Sequence, residues 1–448
     1  MRRRLLPLSA PAFALLLCLR AVPVFATPYL DVGPMIGHTT ERDARIWAKA
    51  SESCRLAVRI STKPDLSGGS TIDGPALSAE SDYMGHVVVE GLSPTTKYYY
   101  AVLFDDVPAM AAPFPSFTTA AATGAPGKTR IAFSSCVGRT GAATAAIWAE
   151  MAARTEFDVL LLLGDNHYAD STAPEVQRRF YYDQRRVLGY ADIARRTPTY
   201  GIWDDHDYGP NDSDGTAAGK EISLKTFQQM WANPGYGEAT NPGIYYKFSR
   251  GEIDFFMLDC RYHRSPNRTP DDGAKTMLGA AQIEWLKREL LASRAKVKFI
   301  ATGSEWQPNS HIDSWKSFAR ERDAIFAFLR EQDFPGVILL SGDRHFTGGY
   351  QIGGRLMEIT SGPLGSRTTS GVNVPDMFLN LKEGTMCSVF DVDTTGAEPV
   401  LKLEVYRGGF GQIHSQTFTW SEINGRTPLP VLPPSPPQPP PAPRKKAN

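Results

Sequence analysis

Cysteine is scarce in this chain, with five in 448 residues. Cys18 lies in the basic-then-apolar opening; Cys54, Cys136, Cys260 and Cys387 are too scattered for a disulfide scaffold. No C-x-x-C or H-E-x-x-H pairing occurs, which argues against a structural zinc module and a zincin protease. Thr302-Gly-Ser304-Glu-Trp306 lacks the second glycine that a strained nucleophile elbow needs. The glycine pairs at Gly348-Gly349 and Gly353-Gly354 are not followed by Lys-Ser/Thr, so no phosphate loop is present. Net charge is also missing, with 48 basic and 48 acidic residues. No basic stripe marks a nucleic-acid surface. Beyond the first 26 residues no apolar run is long enough to span a bilayer.

What is present begins with a leader. Residues 1–26 combine Arg2-Arg3-Arg4, an apolar segment and the small-residue exit Val24-Phe25-Ala26. That is the pattern of a cleaved secretory signal, for Sec or twin-arginine export to the periplasm or the medium. Residues 27–119 hold short alternating strands between turn formers, which predicts a β-sandwich. Gly91-Leu-Ser-Pro-Thr-Thr-Lys-Tyr98 resembles the tyrosine corner of fibronectin type III or immunoglobulin-like domains, where the hydroxyl ties a strand to its preceding corner. A linker of small residues follows. Residues 127–422 then alternate strands and helices, the mark of an α/β domain. Helices are expected over 142–154, 174–188, 220–231, 278–291 and 315–329. Later strands near 357–360, 385–392 and 401–406 are expected to form a second sheet packed on the first. Residues 423–448, dominated by proline from Pro428, read as an extended, disordered tail.

Chemistry gathers at strand ends. Phe157-Asp-Val-Leu-Leu-Leu-Leu-Gly-Asp165-Asn-His-Tyr168 is a buried-strand run ending in Gly-Asp, and Phe334-Pro-Gly-Val-Ile-Leu-Leu-Ser-Gly-Asp343-Arg-His345 repeats the arrangement. Ligands in open α/β sheets sit just beyond such ends, so the two predict one shared site. Between them Trp203-Asp-Asp205-His206-Asp207 puts three carboxylates around an imidazole. So much negative charge demands bound cations. Cys136, Asp165, Tyr168, Asp205, His206, Asp343 and His345 are the candidates for that chemistry, each at or just beyond an expected strand end. A mixed set of carboxylates, imidazole, thiolate and phenol suits hard and borderline cations better than a closed zinc site. His167 and Asp170 could support the ligands from behind, but the reading as ordinary loop residues is preferred.

Phe133-Ser-Ser-Cys136, Leu163-Gly-Asp165-Asn-His-Tyr168, Trp203-Asp-Asp205-His206-Asp207, Leu258-Asp-Cys-Arg261 and Leu340-Ser-Gly-Asp343-Arg-His345 occur in the order seen in PhoD-type alkaline phosphatases, within the calcineurin-like metallophosphoesterases. Leu278-Gly-Ala-Ala-Gln282-Ile-Glu-Trp285-Leu286 resembles a helix of that family. The resemblance spans about 131–361. It implies a four-layer αββα core behind the small all-β sandwich, and a secreted phosphomonoesterase or phosphodiesterase attacking with metal-bound hydroxide. A phospholipase D-like diesterase is the alternative, and a cell-surface binding protein with an inactive core the non-enzyme one. It further implies Fe³⁺ held by Cys136 and Tyr168, Ca²⁺ ions, Asp165 as the bridge, and Asp343 with His345 as a ligand pair. His206 would serve the leaving oxygen, Arg261 would clamp a phosphate oxygen and Asn211 would contact substrate. Asp207 and the segment Tyr208-Gly-Pro-Asn211 depart from the family pattern. The expected partner is a phosphate ester, the expected state a monomer with no nucleic acid and no membrane span.

Overall fold

In the computed structural model, residues 27–138, 141–154, 156–369, 373–433 and 435 are described. The expected leader, 1–26, and most of the expected tail lie outside them.

The first strands form two facing sheets. Leu30–Thr39, Ala44–Ala50 and Met84–Val89 make one; Ser70–Leu77, Cys54–Ser61, Lys97–Phe104 and Val107–Pro108 make the other, with Ser116–Thr118 added to Lys97–Phe104. Alternation turns Ile46, Val58, Val102 and Phe104 into the space between them. The Tyr98 hydroxyl accepts the Ser93 N–H at 3.0 Å, the corner tie read from the sequence. This sandwich docks on the helical flank of the following domain. Trp47 Nε1 donates to the Gln229 carbonyl at 2.8 Å, Tyr100 donates to the Arg195 carbonyl at 2.7 Å, and the Arg185 guanidinium lies 4.4 Å from the Trp47 ring.

Beyond the linker two sheets pack face to face. The first runs Thr199–Ile202, Val159–Leu163, Lys128–Ser134, Met386–Asp393, Val400–Arg407, Gly411–Phe418; the second runs Tyr246–Arg250, Ile253–Met257, Val297–Ala301, Val337–Ser341, Leu356–Thr360, Thr347–Ile352, Met377–Leu381. Phe299 of the second meets Phe390 of the first at 5.6 Å, and Phe390 stacks on Phe133 at 5.5 Å. Ala142–Arg154 buries Ile147, Trp148 and Met151 against the first sheet. Ala280–Ala292 and Ala319–Glu331 bury Leu286, Leu290, Ile325 and Phe326 over Phe256, Ile300 and Leu339 of the second. Each such side chain contributes about 1.5–3 kcal/mol on burial. The result is the expected αββα stack. Its central strands are covered on both faces, which is why they read as unbroken apolar runs.

Three expectations change. The later strands do not make a sheet of their own: Leu356–Thr360 pairs parallel to Val337–Ser341, whereas Met386–Asp393 pairs antiparallel to Lys128–Ser134. Apolar periodicity reports burial, not partner. The expected 174–188 helix ends at Arg185 and a second begins at Leu188, while the expected 315–329 helix starts as a 3₁₀ turn, Trp315–Phe318. The start of the expected free tail is also packed. Leu429 is buried with its N–H on Gln351 Oε1 at 2.8 Å, and the Leu432 N–H donates to the Met377 carbonyl at 2.7 Å. Proline cannot donate, but the leucines among the prolines can.

Candidate metal centre

Four strand ends converge on one spot: those of Lys128–Ser134, Val159–Leu163 and Thr199–Ile202 from the first sheet and Val337–Ser341 from the second. The glycines of the two Gly-Asp pairs make the convergence possible. A Cβ on Gly164 would stand 2.7 Å from Asp204 Cβ, and one on Gly342 2.6 Å from Ser135 Cβ. The following residues turn sharply, with φ of +57° at Cys136, +51° at Asp165, +66° at Asp343 and +52° at His345. Left-handed backbone costs an L-residue about 1–2 kcal/mol each. Such strain is retained where the surrounding structure fixes it, commonly at functional sites.

The side chains so aimed meet. Cys136 Sγ lies 3.5 Å from Asp165 Oδ2, which also accepts from the Tyr168 hydroxyl at 3.1 Å; that hydroxyl is 2.9 Å from His345 Nε2. The Tyr168 ring stacks on His206 at 4.0 Å. Ligand atoms of Cys136, Asp165 and His345 fall within 4.8 Å of one another, and so do those of Asp165, Asp205 and His206. Asp165 belongs to both groups. Asp343 is in neither; it stands on the adjoining turn, its Oδ2 buried without a hydrogen-bond partner among the described residues. Asn211 is exposed, beside Asp212, whose N–H donates to Asp205 Oδ2 at 2.7 Å.

Arg261 sits elsewhere than a substrate clamp requires. Its guanidinium is fully buried and committed to carboxylates: Nε to Asp204, Nη2 to Asp313 at 2.6 Å, and Nη2 3.6 Å from Asp205. Asp259 explains the placement. It accepts from the N–H groups of Arg261 and Tyr262 and from Trp203 Nε1, while Gln282 bonds both its backbone N–H and its carbonyl. The Leu-Asp-Cys-Arg and Gln282 motifs are therefore one clamp beneath the site. Asp207 is likewise a staple, accepting the N–H groups of Asn166 at 2.8 Å and Asp204 at 3.0 Å.

Sequence reasoning missed Asp212 and Asp313 and ranked Asp170 as a loop residue. Asp170 Oδ1 lies 2.6 Å from His206 Nδ1. Asp212 and Asp313 form a third acidic group with Asp205, but Asp313 is already neutralised by Arg261 and Arg264. Burial opposes its charge, yet the two guanidiniums hold its carboxyl well below the usual range. None stands in a motif. Asp313 is 52 residues from Arg261, and only folding reveals the pair.

The residues fit cations. Burial, followed by the charges of Asp205 and Asp204, pushes Asp165 well above the ordinary carboxylate range; burial with Asp204 and Asp205 does the same to Asp343. Among the described residues, buried oxygens of Asp165, Asp204, Asp205 and Asp343 have no hydrogen-bond partner. Unpartnered buried carboxylate costs far more than one hydrogen bond, and Arg261 answers only Asp204 and Asp205. Positive ions among Asp165, Asp205, Asp343, Cys136, Tyr168 and His345 would remove the deficit.

A buried acid supports the second sheet's contribution. Glu358 Oε1 accepts from Ser341 Oγ at 2.6 Å and from the Trp306 N–H at 2.8 Å, just before the Gly342-Asp343 turn. Burial and neighbouring Glu305 raise its carboxyl to about 8. A carboxyl raised on folding stabilises fully below its unfolded value and loses that contribution as pH rises through the folded value. Glu358→Gln keeps the acceptor without the charge. It is expected to raise Tm by several degrees at pH 9 and to change it little at pH 5, measured by calorimetry. Equal shifts at both pH values would remove Glu358 titration as the cause.

Comparison with known proteins follows the same division of the chain. A family model described as PhoD-like phosphatase matches residues 131–420, and one described as a domain of unknown function (DUF7800) matches 27–121. Purple acid phosphatase 23 of Arabidopsis thaliana is 24% identical over 310 residues, 64% of this chain and 62% of that protein. Alkaline phosphatase D of Bacillus subtilis (strain 168) is 27% identical over 122 residues, 23% of this chain and 21% of that one. The matches thus span less than two thirds of either relative. A solved structure described as that of PhoD superposes with a TM-score of 0.68 at 17% identity, covering 89% of this chain and 94% of that one. At that identity the likeness concerns the fold.

Proposed function

The chain belongs to the PhoD-like phosphatase family, a metal-dependent group, and we propose that it is an exported phosphoric ester hydrolase of alkaline phosphatase D type, acting on phosphomonoesters, phosphodiesters or both. The observation that carries this reading is the convergence of six candidate ligands and His206 at four strand ends, with buried carboxylate oxygens that have no hydrogen-bond partner among the described residues. Cys136, Asp165, Tyr168, Asp205, Asp343 and His345 would hold the ions, Asp165 between two of them. The proposed ions are Fe³⁺, which Cys136 and Tyr168 would hold, and Ca²⁺. When bound, such ions neutralise phosphoryl oxygens and acidify water.

The chain's own residues do the rest. His206 is held through Nδ1 by Asp170 and through its face by Tyr168, which leaves Nε2 to deliver a proton to the departing oxygen. Arg261 is a positioning residue here: it fixes Asp204 and Asp205 from below. Asn211, exposed at the rim, is the proposed substrate contact. The leader pattern over 1–26 supports export. Among the described residues no helix is long and apolar enough to cross a membrane.

A chromogenic phosphomonoester and a bis-ester, assayed on the metal-loaded protein, test the activity and separate its two forms. Turnover of neither would favour a binding protein with an inactive core. Colour tests the iron assignment. Phenolate and thiolate donate to Fe³⁺, so the loaded protein is expected to show a visible charge-transfer band that Tyr168→Phe weakens or shifts and Cys136→Ser alters with loss of iron. A colourless protein with stoichiometric iron, unchanged by both substitutions, would remove both residues from the centre.

A further inference from the structure

Behind the ligand-bearing loops lies a cavity of about 410 Å³ that the reaction does not use. Gly138, Asn166 and His167 form one wall and the Pro174–Arg185 helix the other, through Arg179, Phe180, Asp183 and Gln184. None of the candidate ligands lines it. Three of its residues are buried to 1% exposure or less, Asn166, His167 and Gln184. Each carries polar atoms with no hydrogen-bond partner among the described residues: Asn166 Oδ1, His167 Nε2 and both amide atoms of Gln184.

The chemistry of these atoms restricts the ligand. His167 Nδ1 accepts the Ala169 N–H at 3.3 Å, so the ring proton sits on Nε2 and makes it a donor. Gln184 offers a donor and an acceptor, and Asn166 Oδ1 an acceptor. Asn166 and Gln184 are amides and, among the described residues, no carboxylate lines the floor, which disfavours an ion there. Arg179 and Asp183 are exposed at the mouth and cancel in charge. Phe180 supplies a partly exposed ring beside them. Interleaved neutral donors and acceptors next to an aromatic face match a compound with several hydroxyls on a carbon ring.

We propose that this cavity binds a small neutral polyol of sugar-like chemistry, seated against the reverse side of the loops that carry Cys136 and Asp165. The site stands independently of the identity of the metals and of the ester cleaved.

The test uses the full metal-loaded chain with glucose as the probe, inorganic phosphate as the charged control, and saturation-transfer NMR with titration calorimetry as the readouts. Saturable glucose binding is expected, with a Kd of about 1–10 mM. Gln184→Leu, which keeps bulk and removes both amide atoms, is expected to weaken it at least tenfold. Phe180→Ala, at the partly exposed mouth, is expected to weaken it severalfold and guards against misfolding of the buried variant. Absence of saturable binding up to about 100 mM would mean a cavity that holds only water, and would overturn the proposal. Undiminished binding in both variants, or phosphate binding that Gln184→Leu abolishes while glucose does not bind, would overturn it equally.

Discussion

Replacing His206 by alanine is expected to lower kcat by about 10²–10⁴ while metal content stays at the wild-type level, the loss usual for a positioned general acid. The imidazole has two restraints, the Asp170 carboxylate 2.6 Å from Nδ1 and the Tyr168 ring at 4.0 Å. Both fix its orientation, and neither occupies Nε2. Departure of an alkoxide is what a proton at that atom would assist, so the deficit should shrink for esters whose leaving group is a weak base. A nitrophenyl ester and an alkyl ester, compared in wild type and variant, separate this from a general loss of structure. His206 also lies within 4.8 Å of ligand atoms of Asp165 and Asp205. If the alanine variant lost a metal equivalent by elemental analysis, His206 would be a ligand and the proton-transfer role would fall.

Chelation is expected to abolish hydrolysis, and Ca²⁺ to restore it better than Mg²⁺. The acidic ligands come from separate loops, at Asp165, Asp205 and Asp343, each with a buried oxygen lacking a hydrogen-bond partner among the described residues. Such a site accepts the larger, more tolerant cation more readily than one that demands a near-ideal octahedron. Stability should move with activity. Ions that bind only the folded chain add stability that rises with the logarithm of their concentration, and their removal leaves Asp165 and Asp343 buried among like charges. Melting of the chelated protein should therefore fall by several degrees and recover with the same ion that restores turnover. Full restoration by zinc alone would defeat the assignment.

Much of this centre was legible in the linear chain because strand ends announce themselves. An apolar run such as Val159–Leu163 must be covered on both faces, and the glycine and acid that close it must lie where the sheet opens. Gly164-Asp165 and Gly342-Asp343 could thus be paired from the sequence, and Tyr98 could be read as a corner tie from the resemblance of Gly91–Tyr98 to the fibronectin type III corner. Arg261 shows the limit. Its motif marked it as important, but a guanidinium serves equally as a substrate clamp or as a buried counter-ion. Its depth and its partners decide between them.

Sequence by itself determined the local geometry and the chemical inventory: which runs are strands, where the turns fall, and which side chains stand at their ends. These follow from period, turn chemistry and residue type, all short-range properties. Tertiary structure alone decided which strands share a sheet, so that Met386–Asp393 lies against Lys128–Ser134 across the whole length of the domain. It alone brought Asp170 to His206 and Asp313 to Arg261, and left Asn166, His167 and Gln184 facing one cavity. Backbone hydrogen bonding and apolar burial are alike for every strand and helix. The partner is therefore chosen by how whole surfaces fit, and no short stretch of sequence encodes that choice.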